Sequence, residues 1–411
     1  MPLHSVVIAG AGQAGFQAAA SLRQDGFDGR IIMIGDEPGL PYQRPPLSKA
    51  YLMGKTNAEA LNFRPQKFFV DNRIEIVPQT RVTAIDRTNK RVALSSGGAI
   101  EYDHLVLALG AHNRTLPVPG ADLAGVFGLR TLADADAIGA MLAEASEVLV
   151  AGAGFIGLEF AAVASALGKS VHVLELAERT MARAVSPAMS QLFADAHQSW
   201  GVRIEFGQGL ARIEGEDGRV ASVETTGGLR LSADIVVFGI GVLPNVAIAA
   251  EAGLDIENGI KVGAELLTSD PAISAIGDCA SFPSSFAEGH IRLESVQNAA
   301  DQGRAVAARL MGKPAPYVAV PWFWSDQRDL KLQIAGLSIG CDRTVVVGDA
   351  GERRMSVLCF KRDKLIAVES VNRGSDHVAA RKLFGRGTPA LTSAEASTPG
   401  FDLKAWEAAR R

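Results

Sequence analysis

Two stretches of this chain are near copies of one another: "VVIAGAGQAGFQAAA" from Val6 to Ala20 and "VLVAGAGFIGLEFAA" from Val148 to Ala162. Each reads as an apolar strand, a turn built on three glycines and the opening of a helix. A strand too apolar to face water on either side has to be covered by helices, so the repeat points to parallel α/β layers. The turn glycines are Gly10, Gly12 and Gly15 in the first copy, and Gly152, Gly154 and Gly157 in the second. The first of each set permits a tight turn, the second lets a pyrophosphate approach the backbone, and the third lets helix and strand pack closely. A glycine-rich turn that packs and binds nothing is the competing reading. It weakens where the next strand ends in an acid, because a carboxylate there can take ribose hydroxyls. "RIIMIGD" ends at Asp36, 21 positions after Gly15, and "SVHVLE" ends at Glu175, 18 positions after Gly157. Two dinucleotides are expected. Glu175, backed by Glu178, would bond a free 2′-hydroxyl and repel a 2′-phosphate, which favours NADH over NADPH; Arg179 is the neighbour that keeps the question open.

The 411 residues, 47% hydrophobic and 21% charged, suit two or three packed domains. A net charge of −4 argues against nucleic acid as a partner. From Pro321 onward, however, 15 Lys and Arg stand against 11 Asp and Glu, so this last part could meet an acidic partner. The sequence enters a strand almost at once and shows no secretory pattern, which gives a cytoplasmic expectation, and no apolar run is long enough for a membrane span. The only cysteines are Cys279, Cys341 and Cys359, without a C-x-x-C, and the seven histidines lack ligand spacing, so neither a disulfide framework nor a protein-bound metal is expected.

Each glycine unit is followed at a distance by a short strand running into glycine, "YDHLVLALGA" (Tyr102 to Ala111) and "ADIVVFGIGVLPN" (Ala233 to Asn245). Their recurrence in the same order suggests a duplication. A third element, "AISAIGDCASF", carries Gly277 and Asp278 and precedes the helical "ESVQNAADQGRAVAARLMG", whose first amides near Ser295 and Val296 would face an electron-rich carbonyl.

This ordered series resembles the two-dinucleotide flavoprotein superfamily that includes glutathione reductase, over roughly residues 5 to 315. "PYQRPPLSKAYL" (Pro41 to Leu52), "LRTLADA" (Leu129 to Ala135) and "PWFWSDQ" (Pro321 to Gln327) resemble, within it, the FAD-dependent NADH:ferredoxin reductases of the putidaredoxin, palustrisredoxin and rubredoxin reductase type. The resemblance implies an α/β chain with two Rossmann-like domains, for FAD and for NAD, plus a C-terminal α+β domain. The expected division is 1–112 and 241–315 for FAD, 113–240 for NADH and 316–411 for an interface domain. It also implies non-covalent FAD, with contacts by motif match at Ala14, Asp36, Lys49, Val82, Arg130, Asp278 and Val296. NADH would give a hydride to the flavin, and the enzyme would pass single electrons to a small, acidic 2Fe-2S ferredoxin serving a cytochrome P-450 or a ring-hydroxylating dioxygenase. An NADH oxidase or quinone reductase, and an interaction protein like apoptosis-inducing factor, are the alternatives. Disulfide reductases and thiol-based oxidases of the superfamily need an N-terminal cysteine, and this chain has Ser48 in that region, with no thiol before Cys279.

The resemblance places Lys49 and Glu159 beside the flavin N5 as a charged pair, with Glu159 on the first turn of the NADH-binding helix. A cation there would stabilise the anionic reduced flavin. Arg44 is expected either on the FAD pyrophosphate or as a turn cap. Trp322 and Trp324 are expected to point to opposite sides of their strand, Trp324 toward the flavin. The final segment reads as hairpins followed by an exposed helix in "GSDHVAARKLFGRG", and Arg304, Arg328 and Lys331 form the expected basic rim for the ferredoxin.

Overall fold

The computed structural model describes residues 3–387 and 389–410. It resolves into two compact units, each assembled from three stretches of chain. The first takes the chain up to Gln43, Glu59–His112 and Leu243–Pro321; the second takes Arg44–Ala58, Asn113–Val242 and everything from Trp322 onward.

In the first unit, β1 (Ser5–Ala9), α1 (Gln13–Gln24), β2 (Arg30–Ile34), β3 (Ile74–Val77) and β4 (His104–Leu107) build the layer that the opening repeat demands. With the late strand Ile273–Ala275 they form one sheet, in which β1 lies between β2 and β4, β3 is outside β2, and the late strand is outside β4. All pairs are parallel. Val6, Val7 and Ile8 are wholly buried, the outcome for a strand covered on both faces. The helix Val296–Leu310 then packs along α1. Gly303 makes this possible, since a Cβ there would stand 2.9 Å from the Ala14 carbonyl oxygen and the Ala18 nitrogen. The unit also carries a separate antiparallel sheet, Val82–Asp86 with Arg91–Leu94 and Ala99–Glu101, and a small sheet of Ile260–Lys261, Ala280–Pro283 and His290–Ile291.

The second unit repeats the design with β5 (Val126–Gly128), α2 (Leu132–Glu144), β6 (Glu147–Ala151), α3 (Phe155–Ala166), β7 (Ser170–Glu175), α4 (Pro187–Ser199), β8 (Val202–Phe206) and β9 (Ile235–Phe238). The parallel order is β8-β7-β6-β9-β5, so the glycine-bearing strand is again central, with the crossover direction reversing beside it. That reversal is where open α/β sheets bind ligands. The chain's last part adds an antiparallel sheet of β10 (Trp322–Gln327), β11 (Leu330–Gly336), β12 (Arg343–Asp349), β13 (Arg354–Lys361) and β14 (Lys364–Val371), in the order β10-β11-β14-β13-β12. The β13–β14 turn has Arg362 and Asp363 at φ of 49° and 59°, the left-handed pair of a two-residue hairpin.

Two expectations are corrected here. The helix over "GSDHVAARKLFG", α5 (Gly374–Gly385), is not simply exposed, because Asp376, His377, Ala379, Ala380, Leu383 and Phe384 are all buried. Trp322 and Trp324 do not point to opposite sides either. Residues two apart share a strand face, and the two indoles lie side by side with centroids 5.7 Å apart. The opposite face carries Phe323, packed against Phe155 of α3 with ring centroids 4.4 Å apart and the rings tilted by 40°.

Candidate functional site

In the first unit the glycine turn has the form that a bound pyrophosphate requires. Gly10 sits at φ +119°, and a Cβ there would fall 2.0 Å from the Ala108 carbonyl oxygen. A Cβ on Gly15 would meet the Gly10 carbonyl oxygen at 2.0 Å, so both positions are glycine for the protein's own packing. Gly12 differs: a Cβ there would meet nothing within 4 Å. It is the N-cap of α1, which has no side-chain cap and no acid in its first turn. The amides at this helix end thus face open space kept bare by a glycine, a cradle that fits a pyrophosphate. Ala14 is buried under the turn, and Gly277, at φ +76°, would place a Cβ 3.0 Å from the Ala14 Cβ. The "IGD" turn is thereby gathered onto the first glycine turn, held by the Gly277 N–H donating to Gln302 Oε1 at 2.7 Å. Asp278 follows it half-buried, its carbonyl accepting from Arg292 at 3.2 Å. Asp36 lies just beyond β2 and is paired with Arg81 at 3.1 Å. Val82 opens the antiparallel sheet and is half-buried. Val296 is the first residue of its helix, behind the Ser295 cap.

The second unit holds the matching cradle. Gly152 has φ +101°, a Cβ on Gly157 would stand 2.1 Å from the Gly152 oxygen, and one on Gly154 would find its nearest neighbour at 3.7 Å. Again the middle glycine leaves room. Glu175 reaches back to this turn: its carboxylate accepts from the Ala153 N–H at 2.7 Å and the Ala177 N–H at 2.8 Å. These bonds fix the acid beside the cradle while leaving it acceptor capacity for a ribose. Arg179, the residue that kept phosphate recognition open, is turned into its own loop. It donates to the carbonyls of Val185 at 2.8 Å and Ala182 at 2.6 Å, and to Ser190 Oγ at 2.6 Å.

The same unit buries an ion pair. "RPPLSK" forms a short 3₁₀ turn over Pro45–Ser48, started by prolines whose missing amides cost nothing there, and it delivers Lys49 at its end. Lys49 Nζ lies 2.7 Å from Glu159 Oε2 and 3.2 Å from the Pro45 carbonyl. Glu159 is the fifth residue of α3, one turn in and not on the first turn, and it is 5% exposed. It is therefore no solvated acid at a helix start. Ser48 Oγ donates to Oε2 and Ser325 Oγ donates to Oε1, each at 2.6 Å. A buried carboxylate needs such partners. Ser325 lies within the "PWFWSDQ" stretch but was given no role from the sequence, and its meeting with Glu159 spans 166 positions. The signal for it is the strand's period of two, which sets Phe323 and Ser325 opposite Phe155 and Glu159, four apart on α3. Arg44 leads the same turn and donates to the Arg130 carbonyl at 2.8 Å, tying it to the start of α2, where Thr131 and Asp134 make a capping box. Trp324 is half-buried beside Trp322.

The residues of the expected basic rim each have a local setting. Arg304 is half-exposed and paired with Asp301. Arg328 lies over the Trp200 ring, 5.2 Å from its centroid, and Lys331 stands on β11 opposite Asp326. Cys279 is fully buried, and burial pushes its thiol up to about 11, far from a reactive thiolate. Among the described residues no helix is long and apolar enough to cross a membrane.

Residues 4–303 match the pyridine nucleotide-disulphide oxidoreductase family, and residues 322–406 match the reductase C-terminal domain. Rhodocoxin reductase from Rhodococcus erythropolis is 51% identical over 400 residues, 97% of this chain and 93% of that protein. The solved ferredoxin reductase for the CYP199A2 system from Rhodopseudomonas palustris superposes with a TM-score of 0.95 at 52% identity, over 98% of this chain and 99% of that one. A chain of the covalent putidaredoxin reductase–putidaredoxin complex does so with a TM-score of 0.95 at 39% identity, over 100% of this chain and 99% of that one. With both domain matches and relatives this similar along their whole length, the chain belongs to the pyridine nucleotide-disulphide oxidoreductase family, among its ferredoxin reductases.

Proposed function

We propose that this protein is an NADH-dependent, FAD-containing ferredoxin reductase that supplies single electrons to a small acidic 2Fe-2S ferredoxin, which in turn serves a cytochrome P-450 or a ring-hydroxylating dioxygenase. The observation that carries the reading is the whole-chain likeness to ferredoxin reductases, one of them captured with its putidaredoxin. Bound FAD supplies the capacity to take a hydride and release its two electrons one at a time. The chain's own residues bind and orient. Gly10, Gly12, Ala14 and Gly15 would hold the FAD pyrophosphate, Asp36 its ribose, and Val82, Arg130, Gly277, Asp278, Val296 and Trp324 the remainder. Residues 1–112 and 241–315 are assigned to this task, 113–240 to NADH and 316–411 to the interface.

Gly152, Gly154 and Gly157 would cradle NADH, and Glu175 would accept its 2′-hydroxyl. The inward turn of Arg179 leaves that end of the site acidic, which supports NADH over NADPH. Lys49 would keep its positive charge at Nζ toward the flavin's reacting edge, and Glu159 would hold it there. Arg44 ties its turn to Arg130 through one guanidinium nitrogen, and the rest of its fork would serve the FAD pyrophosphate. The electron source, NADH, is an intracellular reductant, so we place the protein in the cytoplasm.

The test is stopped-flow reduction of the FAD-loaded protein by NADH, followed by steady-state cytochrome c reduction with and without an added 2Fe-2S ferredoxin. Rapid bleaching of the flavin and a cytochrome c rate that depends on the ferredoxin are expected. A rate that the ferredoxin does not raise would overturn the electron-carrier reading.

A further inference from the structure

Beyond Ser325, the polar line continues inward. Along β10 the odd residues turn toward the helices: Phe323 to Phe155, Ser325 to Glu159, and Gln327 to His197 of α4. Gln327 Nε2 donates to Ser325 Oγ at 3.2 Å, and Gln327 Oε1 meets His197 Nε2 at 2.8 Å. A carboxamide oxygen only accepts, so the imidazole proton sits on Nε2. Nδ1 of His197 is buried and has no partner among the described residues. Ser325, Gln327 and His197 are each no more than 1% exposed.

We propose that Ser325, Gln327 and His197 are positioning residues for the reductive step, a buried chain of one-way hydrogen bonds that fixes Glu159 and, through it, Lys49. This rests on the reading of the Lys49–Glu159 pair given above. The direction of the bonds carries the argument. Ser325 has one hydroxyl proton, and an amide N–H donated into its oxygen commits that proton to Glu159 Oε1. Ser48 and Lys49 donate to Oε2, so the groups facing the carboxylate from the "RPPLSK" turn and from β10 are all donors. Every bond from His197 onward points toward Glu159. The chain orients without conducting, since a proton passed through Gln327 would leave an imidic acid. Apolar residues would fill these three positions at less desolvation cost, so packing alone does not account for them.

The experiment uses FAD-loaded protein and two readouts: the rate of flavin reduction by NADH against pH, and the flavin midpoint potential from spectroelectrochemical titration. Glu159→Gln sets the reference for losing the carboxylate. Ser325→Ala should slow reduction about tenfold, the worth of one hydrogen bond to a charged group. It should also lower the flavin midpoint potential, because a Lys49 held less firmly stabilises the anionic reduced flavin less. Ser325→Thr, which keeps the hydroxyl, should restore both. Gln327→Met should shift rate and potential in the same direction by less, and the Ser325→Ala/Gln327→Met double variant should be no slower than Ser325→Ala alone. If Gln327→Met does not fold, His197→Leu, which withdraws the last donor, takes its place with the same expectation. The proposal is overturned if Glu159→Gln moves both readouts while Gln327→Met, or its replacement, moves neither, or if the two single losses multiply in the double variant. If Glu159→Gln itself changes nothing, the reading of the Lys49–Glu159 pair falls, and this inference with it.

Discussion

Glu175 is fixed by the protein in a way that leaves it acceptor capacity for the ribose we assign to it. Its two backbone bonds hold it at the glycine turn, so removing it both loosens the cradle and withdraws the negative charge that would repel a 2′-phosphate. Glu175→Ala should narrow the preference for NADH over NADPH by about 1 to 3 kcal/mol, read as the ratio of kcat/KM values for the two. Equal kcat/KM for both nucleotides in the parent would remove the basis for this role. Three imidazoles make a second residue-level statement. Burial holds His104 down at about 3, and His197 and His377 at about 4, against an ordinary 6.5. A group with a lowered folded value contributes stability that is present above the unfolded value and lost as pH falls toward the folded one. Acidification from pH 6.5 toward pH 4 should therefore destabilise the protein. The ring nitrogens of His377 have no hydrogen-bond partner among the described residues, so His377→Phe removes a titration without breaking a bond. It should lower the midpoint pH of acid unfolding followed by circular dichroism, and an unchanged midpoint would show that His377 is already protonated in the fold.

Among the elements, α4 is anchored from the last sheet. Ser186 is its N-cap, and the Ser186 N–H donates to both carboxyl oxygens of Glu369 on β14, at 2.9 and 3.0 Å, while its hydroxyl donates to one of them at 2.6 Å. Glu369 is completely buried, and burial pushes its carboxyl above the usual range. Ser186→Ala loses the cap and leaves that carboxyl short of a donor. About 1 to 3 kcal/mol of stability should go with it, measured by urea unfolding of the FAD-loaded protein. Glu369→Gln keeps an acceptor and should cost less. The reverse order would mean that the charge itself holds the two elements together. The two glycine turns and their acids were legible in the sequence because each is set by spacing within about 30 residues. Lys49 and Glu159 were legible only through family resemblance; Ser48 was noted only for standing where relatives carry a cysteine, and Ser325 was not singled out, since nothing along the chain says which face α3 turns to β10. The Trp pair was misjudged although a period of two places it on one face. The burial of α5 was hidden because Asp376 and His377, polar by type, lie on its inner side.

For the whole molecule, charge is the property a partner would meet first. The excess of Lys and Arg after Pro321, within a chain of net −4, suits an acidic ferredoxin, and short-lived redox encounters need only a small contact. Arg304→Glu combined with Lys331→Glu should lower ferredoxin-dependent cytochrome c reduction about tenfold or more, flatten its dependence on salt, and lower ferricyanide reduction by NADH far less. Equal loss of both activities would point to damage at the flavin site, and no loss of either would move the docking surface elsewhere. The packing of Val296–Leu310 on α1 through Gly303 has a further consequence, for the order in which the chain is made. The first glycine turn is made well before the helix that covers α1, which follows some 280 residues later, after the whole of Asn113–Val242 has been synthesised. Closing so long a loop is slow relative to forming local contacts. The second glycine unit is therefore complete in the chain before the first unit can close, and the face of α1 that Val296–Leu310 covers stays uncovered until that helix has been made.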